Sequence, residues 1–301
     1  MLELAYLNGA DVDALALTDE EILGAVRAVL AAQGRGETVI EPRTHLFPRG
    51  ATGHFNVLRG ATPEHAGVKV VGDYVDNHRL GLPSEMALLL LMDPLTGVPA
   101  AILDATAITE MRTGAVTAIG AERLARRDAR VLAHIGARGT AYWNARLLVR
   151  VLPELEEIRV HSRRPESRDG FAERLRDELK CEVRAVDSWE ECVRGADVVV
   201  EASRLTEPTP LLRTEWVKPG ALVVPYGTVS AVELSLTDIM DLIVVDDWGQ
   251  AGSGPLGSLR AHVDSGRLSK ENLHAELGEI VAGAKRGRER DEETILFWHR
   301  G

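Results

Sequence analysis

A run with the character of a buried strand, Val131-Leu-Ala-His-Ile135, stops at Gly136. It turns through Ala137, Arg138 and Gly139 and passes into a helical pattern from Thr140 to Val151. This arrangement constrains the chain more than any other. A tight turn between a buried strand and a helix presents the helix N-terminus, with its free N–H groups and positive dipole end, to an anionic ligand. The dinucleotide fingerprint Gly-x-Gly-x-x-Gly/Ala is met imperfectly. Gly136 and Ala141 hold its outer positions, Arg138 stands in the middle one, and the adjacent Gly139 can take over part of the close approach. Further apolar runs fall at Ile158–Val160, Val183–Val186, Val198–Val200, Ala221–Pro225 and Leu242–Val245. Helical segments separate several of them, as parallel βαβ units require. The expected fold is α/β with a Rossmann-type doubly wound parallel sheet. Gly136, Ala137, Arg138, Gly139 and Thr140 are the candidate cofactor contacts.

The end of the second strand bears on the choice of cofactor. NAD-binding folds place a carboxylate there to accept from the ribose hydroxyls. Here the sequence reads Val160-His-Ser162-Arg163-Arg164-Pro, with no Asp or Glu. Guanidinium groups offer forked, charge-assisted donors to a phosphate dianion. Ser162, Arg163 and Arg164 therefore favour NADP(H), with NAD(H) the alternative. The same residues read without a ligand are a surface basic cluster.

The N-terminal part has a different texture. Thr18 and Glu21 have capping-box spacing ahead of a helix with Ile22, Leu23, Val26, Val29 and Leu30 on one face, ended by Gly34 and Gly36. Residues 1–17 read as a short strand and loop. Val39 to Val71 is a hairpin-rich set of extended runs broken by Pro and Gly, and Met86–Met92 reads as a fully buried strand. Arg43, His54 and Lys69 stand out as chemistry-bearing side chains. Alternation puts Lys69 on the opposite face from Val68 and Val70, although a solvated strand face accounts equally for a single charge. The helix from Asp104 onward is built mainly of small residues and is buried on most sides, yet it carries Arg112. A buried charge must be paired, and no carboxylate stands at helix-neighbour spacing except Glu110 on another face. The partner of Arg112 is then across a domain interface or a ligand.

Charge and composition narrow the function. The chain has 301 residues and a net charge of −11, with no Lys/Arg run interleaved with aromatics, so nucleic acid is not an expected partner. An anionic ligand must instead be held by locally placed cations. The two cysteines, Cys181 and Cys192, and the nine scattered histidines lack metal-ligand spacing, so no metal is expected. No apolar run is long enough to span a bilayer, and the start of the chain lacks a signal-peptide pattern. A cytoplasmic enzyme is the expectation. Asp246-Asp247-Trp-Gly-Gln250 reads as a solvated loop after the last strand, with a border of the nicotinamide pocket as the alternative, and Gly252–Gly257 as a flexible connector, with a lid as the alternative.

These segments together resemble the ornithine cyclodeaminase/μ-crystallin family over nearly the whole chain. They are Lys69 after Gly67, Gly81-Leu-Pro, Asp93-Pro-x-Thr-Gly97, Ile108-Thr-x-x-Arg112-Thr-Gly-Ala, and the strand leading to Gly136-Ala. The resemblance implies a mixed α+β substrate-binding and dimerisation domain from residues 1–115, a Rossmann domain from 116–275, and a return of 276–301 to the substrate domain. It implies a homodimer, and it implies that Arg43, Lys69 and Arg112 clamp the α-carboxylate of a small amino or imino acid. It also implies a further helix beyond Trp298-His-Arg-Gly301, so the substrate domain is expected to lack one packing element if that end is native. Thr228 stands where cyclodeaminating members carry an aspartate, and His54 where family enzymes place a glutamate. The expected function is NAD(P)H-dependent reduction of an α-imino acid, or amino-acid dehydrogenation in reverse. Lys69 is the first candidate for the proton donor. His54 is the second, a residue type that titrates near neutrality, and Thr228 orients the substrate nitrogen or a water. Ornithine cyclodeamination, with His54 or Asp73 supplying the missing group, and non-catalytic binding of a dinucleotide and small ligand are the alternatives.

Overall fold

The computed structural model describes residues 3–300 as two sheets joined by one long helix. The strands of the first sheet are β1 (Ala5–Leu7), β2 (Val39–Leu46), β3 (His54–Ala61), β4 (Ala66–Asp73), β5 (Glu85–Met92) and β6 (Pro99–Asp104). Those of the second are β7 (Val131–Ile135), β8 (Glu157–His161), β9 (Glu182–Ala185), β10 (Val198–Glu201), β11 (Leu222–Pro225), β12 (Leu242–Val245), β13 (Ala275–Glu276) and β14 (Ile295–Trp298). The helices are α1 (Gly9–Ala14), α2 (Asp19–Gly34), α3 (Thr106–Leu124), α4 (Ala141–Val151), α5 (Pro165–Glu178), α6 (Trp189–Val193), α7 (Trp248–Ala251), α8 (Arg260–Asp264) and α9 (Leu277–Val281). Among the described residues no helix is long and apolar enough to cross a membrane.

The first sheet runs β1-β6-β5-β4-β3-β2 and is antiparallel except for the β1–β6 pair. Its strands obey a period of two. On β4, Val71 and Asp73 are buried on one face, while Val70 on the other is 37% exposed. Lys69 falls on the Val71 face, as alternation requires. That inner face packs Val71 and Ala87 against Ala105 and Ile108 at the start of α3. The outer face is open, and here the expectation of a fully buried β5 fails. Met86 is 40% and Leu88 54% exposed, because nothing in the single chain covers that side. A one-and-a-half-turn helix, α1, also appears where a loop was expected. Asn8 Oδ1 caps it by accepting from the N–H groups of Ala10 (2.9 Å) and Asp11 (3.1 Å).

The second sheet is entirely parallel, in the order β13-β12-β14-β11-β10-β7-β8-β9. The section β9-β8-β7-β10-β11 is the doubly wound order, with its switch point between β7 and β10. Residues 276–301 divide between the two parts of the molecule, whereas the sequence suggested a return to the substrate domain. Helix α9 does pack on α2 of the N-terminal part. Strand β14, however, inserts between β11 and β12. Its four residues Ile-Leu-Phe-Trp are all fully buried, and an unbroken apolar run of that kind belongs in a sheet covered on both faces.

Helix α3 joins the halves. Its first turns lie on the first sheet, and its second half packs on α4, β11 and β14. A Cβ at Gly114 would stand 2.7 Å from the Trp143 backbone. That close approach of α3 to α4 explains the small-residue composition of α3 better than helix propensity does. Thr109, Arg112 and Thr113, spaced i, i+3 and i+4, share the strip of α3 that looks into the cleft between the sheets.

Candidate active site

Two connected cavities follow the carboxyl ends of the parallel strands. The outer one is lined by Gly136, Ala137 and Arg138 from the turn after β7, by Ser162, Arg163, Arg164 and Ser167 after β8, and by Trp189. Gly136 has φ +106°, and a Cβ there would lie 2.6 Å from the Ala202 carbonyl oxygen. The turn thus needs glycine both for its backbone conformation and for the approach of β10. Gly139 is likewise left-handed, at φ +57°. Arg138, which replaces the middle glycine of the fingerprint, reaches over the turn and donates from Nη2 to Ser167 Oγ at 3.1 Å. Arg138, Ser162, Arg163 and Arg164 therefore gather at one end of the cavity, where no carboxylate lines the wall among the described residues. A turn with glycine at its two left-handed positions, a helix start and a cluster of guanidiniums fit an anionic dinucleotide.

Arg138, Ala202, Ser203 and Arg204 lead from this cavity into the second one, between the two sheets. Gly139 and Thr140 line that inner cavity together with Arg43, His54, Arg112 and Thr228. The sequence candidates for the substrate thus converge, although they come from β2, β3, α3 and the loop after β11. Arg43 donates from Nε to Gln250 Oε1 at 3.2 Å and from Nη2 to the Arg300 carbonyl at 2.7 Å. Arg112 has no hydrogen bond or ion pair among the described residues, and its Nε is buried without a partner. Burial lowers its pKa to about 10, and Arg43 pushes it the same way. Lys69 stands one step behind the cavity wall and donates from Nζ to Thr109 Oγ1 at 3.1 Å. Burial, then Arg112 and Arg43, hold its pKa well below the ordinary lysine value. Among the described residues no carboxylate is bonded to Arg112 or Lys69, and burial and the Arg43 charge weaken the hold of both on their protons. His54 is buried and packs on Phe47 at a centroid distance of 5.4 Å.

Several cavity residues escaped the sequence reading. Arg204, after β10, binds Asp73 of β4 through both guanidinium nitrogens, at 3.0 and 3.2 Å, and also pairs with Glu85 of β5. That triad ties the nucleotide-binding half to the first sheet. Its signal was the position of Arg204 just past the carboxyl end of a parallel strand, where ligands bind. Arg300 follows β14, a strand too short to be recognised from its four apolar residues. Tyr226 is hydrogen-bonded to Thr140 Oγ1 at 2.6 Å and to Asn144, and stacks on His299 at 4.8 Å. The loop after β12 is not solvated. Asp246 and Gln250 are buried, and Asp247 Oδ1 caps α7 by accepting the Gln250 N–H at 2.7 Å. The connector that follows contributes Leu256 and Gly257 to the cavity wall.

Comparison with known proteins places this geometry. A sequence profile of the ornithine cyclodeaminase/mu-crystallin family matches residues 3–301. The chain belongs to that family. It is 32% identical to the alanine dehydrogenase of Archaeoglobus fulgidus, over 98% of this chain and 89% of the relative. It is 29% identical to the mouse ketimine reductase mu-crystallin, over 97% of this chain and 91% of that protein. The structure of Thermococcus litoralis Delta(1)-pyrroline-2-carboxylate reductase, in complex with NADH and L-proline, superimposes with a TM-score of 0.92. That match has 28% identity and covers 99% of this chain and 92% of the other.

Within the ornithine cyclodeaminase/mu-crystallin fold, the positions where the sequence departs from the pattern of cyclodeaminating members now have locations. Thr228 and His54 both line the inner cavity. Thr228 is held through its backbone, its carbonyl accepting the Gly257 N–H at 2.8 Å. The carboxylates that do line the cavity, Asp73 and Glu85, are both engaged by Arg204.

Proposed function

We propose that the protein is an NADP(H)-dependent reductase of an α-imino acid, able to run in reverse as an amino-acid dehydrogenase. That it is an oxidoreductase of the ornithine cyclodeaminase/mu-crystallin family follows from its matches to dehydrogenases and reductases of amino and imino acids. The observation that carries the finer reading is Arg112, an enclosed guanidinium with no bonded partner among the described residues, in the wall of a cavity that opens onto the nucleotide groove. In this reading Arg43 and Arg112 grip the α-carboxylate and Lys69 adds a third positive charge, so the α-carbon is fixed against the mouth of that groove. The Gly136–Thr140 turn takes the pyrophosphate, while Ser162, Arg163 and Arg164, joined by Arg138, take the ribose phosphate. The nicotinamide, when bound, supplies or accepts the hydride.

Lys69 gives the proton to the imine nitrogen, which a lysine with a depressed pKa can do near neutral pH. His54, in the wall of the same cavity, is the second candidate donor. Thr228 orients the nitrogen or a water but holds no charge. Ornithine cyclisation needs a free carboxylate at the amine, and both carboxylates in the cavity wall are committed to Arg204. The relatives also support a dimer, since one solved neighbour, an archaeal alanine dehydrogenase with bound NAD, is a dimer. The open apolar face of the first sheet is the surface for it.

The test is absorbance of the nicotinamide band read beside an ammonia assay. Stoichiometric loss of NADPH with a 2-oxo acid and an amine, faster than with NADH, is the expected result. Ammonia release from ornithine without net change in the cofactor overturns the reading. Tight binding of ligand without turnover overturns it in favour of a carrier.

A further inference from the structure

The proposed clamp for one carboxylate is complete with Arg43, Lys69 and Arg112, yet the inner cavity is lined by a further cation, Arg300, with no bonded carboxylate among the described residues. The Arg300 guanidinium is anchored by a single nitrogen, Nη1, which donates to the carbonyls of Gln250 at 3.1 Å and Ser253 at 2.8 Å. Its Nε and Nη2 have no hydrogen-bond partner, and no carboxylate lies within ion-pair distance of it among the described residues. Asp246 is close, but it accepts from the Arg300 main-chain N–H at 2.9 Å. The loop that positions Arg300 positions Arg43 too. The Gln250 side chain accepts from Arg43 while its carbonyl accepts from Arg300. The two guanidiniums are thus held side by side at a set spacing.

Arg300 neighbours Arg43: both bind Gln250, and the Arg300 carbonyl accepts from Arg43 Nη2 at 2.7 Å. Beyond burial, Arg43 lowers the pKa of Lys69, Arg112 and Arg300 alike, and Arg112 lowers that of Lys69. One carboxylate taken up by Arg43, Lys69 and Arg112 leaves the Arg300 Nε and Nη2 unbound. The rest of the wall points the same way. Arg43, Arg112, Arg138, Arg204 and Arg300 line the cavity against only Asp73 and Glu85, and Arg204 already occupies both acids. In a chain of net charge −11, a cavity with surplus positive charge is a selected feature of the site. His54 and Thr228 stand where a site for a second amine would need carboxylates.

We propose that the substrate carries a second carboxylate, and that Arg300 binds it. The substrate class is then a dicarboxylic imino acid. The second carboxylate sits either on the carbon side chain, as when a 2-oxo dicarboxylic acid condenses with ammonia, or on the nitrogen substituent, as when a 2-oxo acid condenses with an amino acid. The inference rests on the imino-acid reductase reading above and adds the class of substrate to it.

The experiment compares kcat/KM for NADPH oxidation by the full chain with matched pairs. The first pair is oxaloacetate against 2-oxobutyrate, each with ammonia. The second is pyruvate with glycine against pyruvate with methylamine. Whichever pair shows at least a tenfold preference for the dicarboxylic member locates the second carboxylate. Arg300→Gln is expected to reduce that preference at least tenfold, and Arg300→Lys to restore part of it. Equal use of both members in both pairs overturns the proposal while leaving the reductase reading intact. So does an Arg300→Gln variant that slows both members alike, or a preference for diamino acids. If no imine is reduced, the reductase reading has failed, and the second-carboxylate site is judged by binding to the NADP⁺-loaded protein. A melting temperature raised more by succinate than by butyrate, with the difference lost in Arg300→Gln, sustains it. Equal shifts overturn it.

Discussion

A guanidinium enclosed without a bonded partner costs the fold stability, and Arg112 is such a group among the described residues. Arg112→Met is expected to raise the melting temperature of the ligand-free protein. It should also lower kcat/KM at least a hundredfold, since two charge-assisted hydrogen bonds are worth about 3–6 kcal/mol together. A variant less stable than the parent would show that Arg112 has a structural partner instead. Lys69 makes a sharper test through pH. Its pKa in the fold is depressed by burial and by Arg112 and Arg43, so it binds fewer protons folded than unfolded. Unfolding then takes up a proton, and stability rises with pH between the depressed value and the ordinary one of about 10.4. Lys69→Met is expected to be the more stable protein at neutral pH, with the difference shrinking as that upper limit is approached. Thermal denaturation across pH checks the slope. Occupation of the anion site should draw the proton back onto Lys69, measurable as proton uptake in calorimetry in buffers of different ionisation enthalpy.

At the scale of elements, the proposed preference for NADP(H) rests on the turn from β8 into α5, with Arg138 beside it. Its arginines approach from two directions, Arg163 and Arg164 along the strand end and Arg138 from the β7 turn, where it is braced by Ser167. The double variant Arg163→Gln, Arg164→Gln is expected to lower the ratio of kcat/KM for NADPH over NADH at least tenfold while leaving the NADH value nearly constant. An unchanged ratio would show that the cluster is only a solvated basic patch. The turn itself was legible from sequence. Gly136 and the strand before it specify the geometry locally, through a left-handed residue and a carbonyl contact that no side chain tolerates. Strand β14 was not legible. Four apolar residues before the polar His-Arg-Gly end carry no period, and only neighbours from β11 and β12 make them a strand.

The molecule as a whole is two sheets hinged on α3, with an acid–arginine triad across the gap and an uncovered apolar face on the outside. Tyr6, Val70, Met86 and Leu88 are all exposed on that sheet, a patch of the kind that marks an interface. Leu88→Lys is expected to convert a dimer into a monomer in light scattering, because a charge placed opposite its own symmetry mate repels it. A dimer unaffected by that change would assemble elsewhere. By itself the sequence determined the parallel α/β core, the nucleotide turn, the absence of an acid after β8 and the oddity of a guanidinium in the small-residue stretch of α3. Each of these is written in local periodicity or in the conformational demands of single residues. Only the tertiary structure decided that Arg43 and Arg112 share one cavity with Lys69 directly behind its wall, that Arg204 engages both of its carboxylates, and that Arg300 arrives there after a late strand. Those juxtapositions join residues far apart in the chain, where no local preference reaches and the packing of the two sheets on α3 sets every distance.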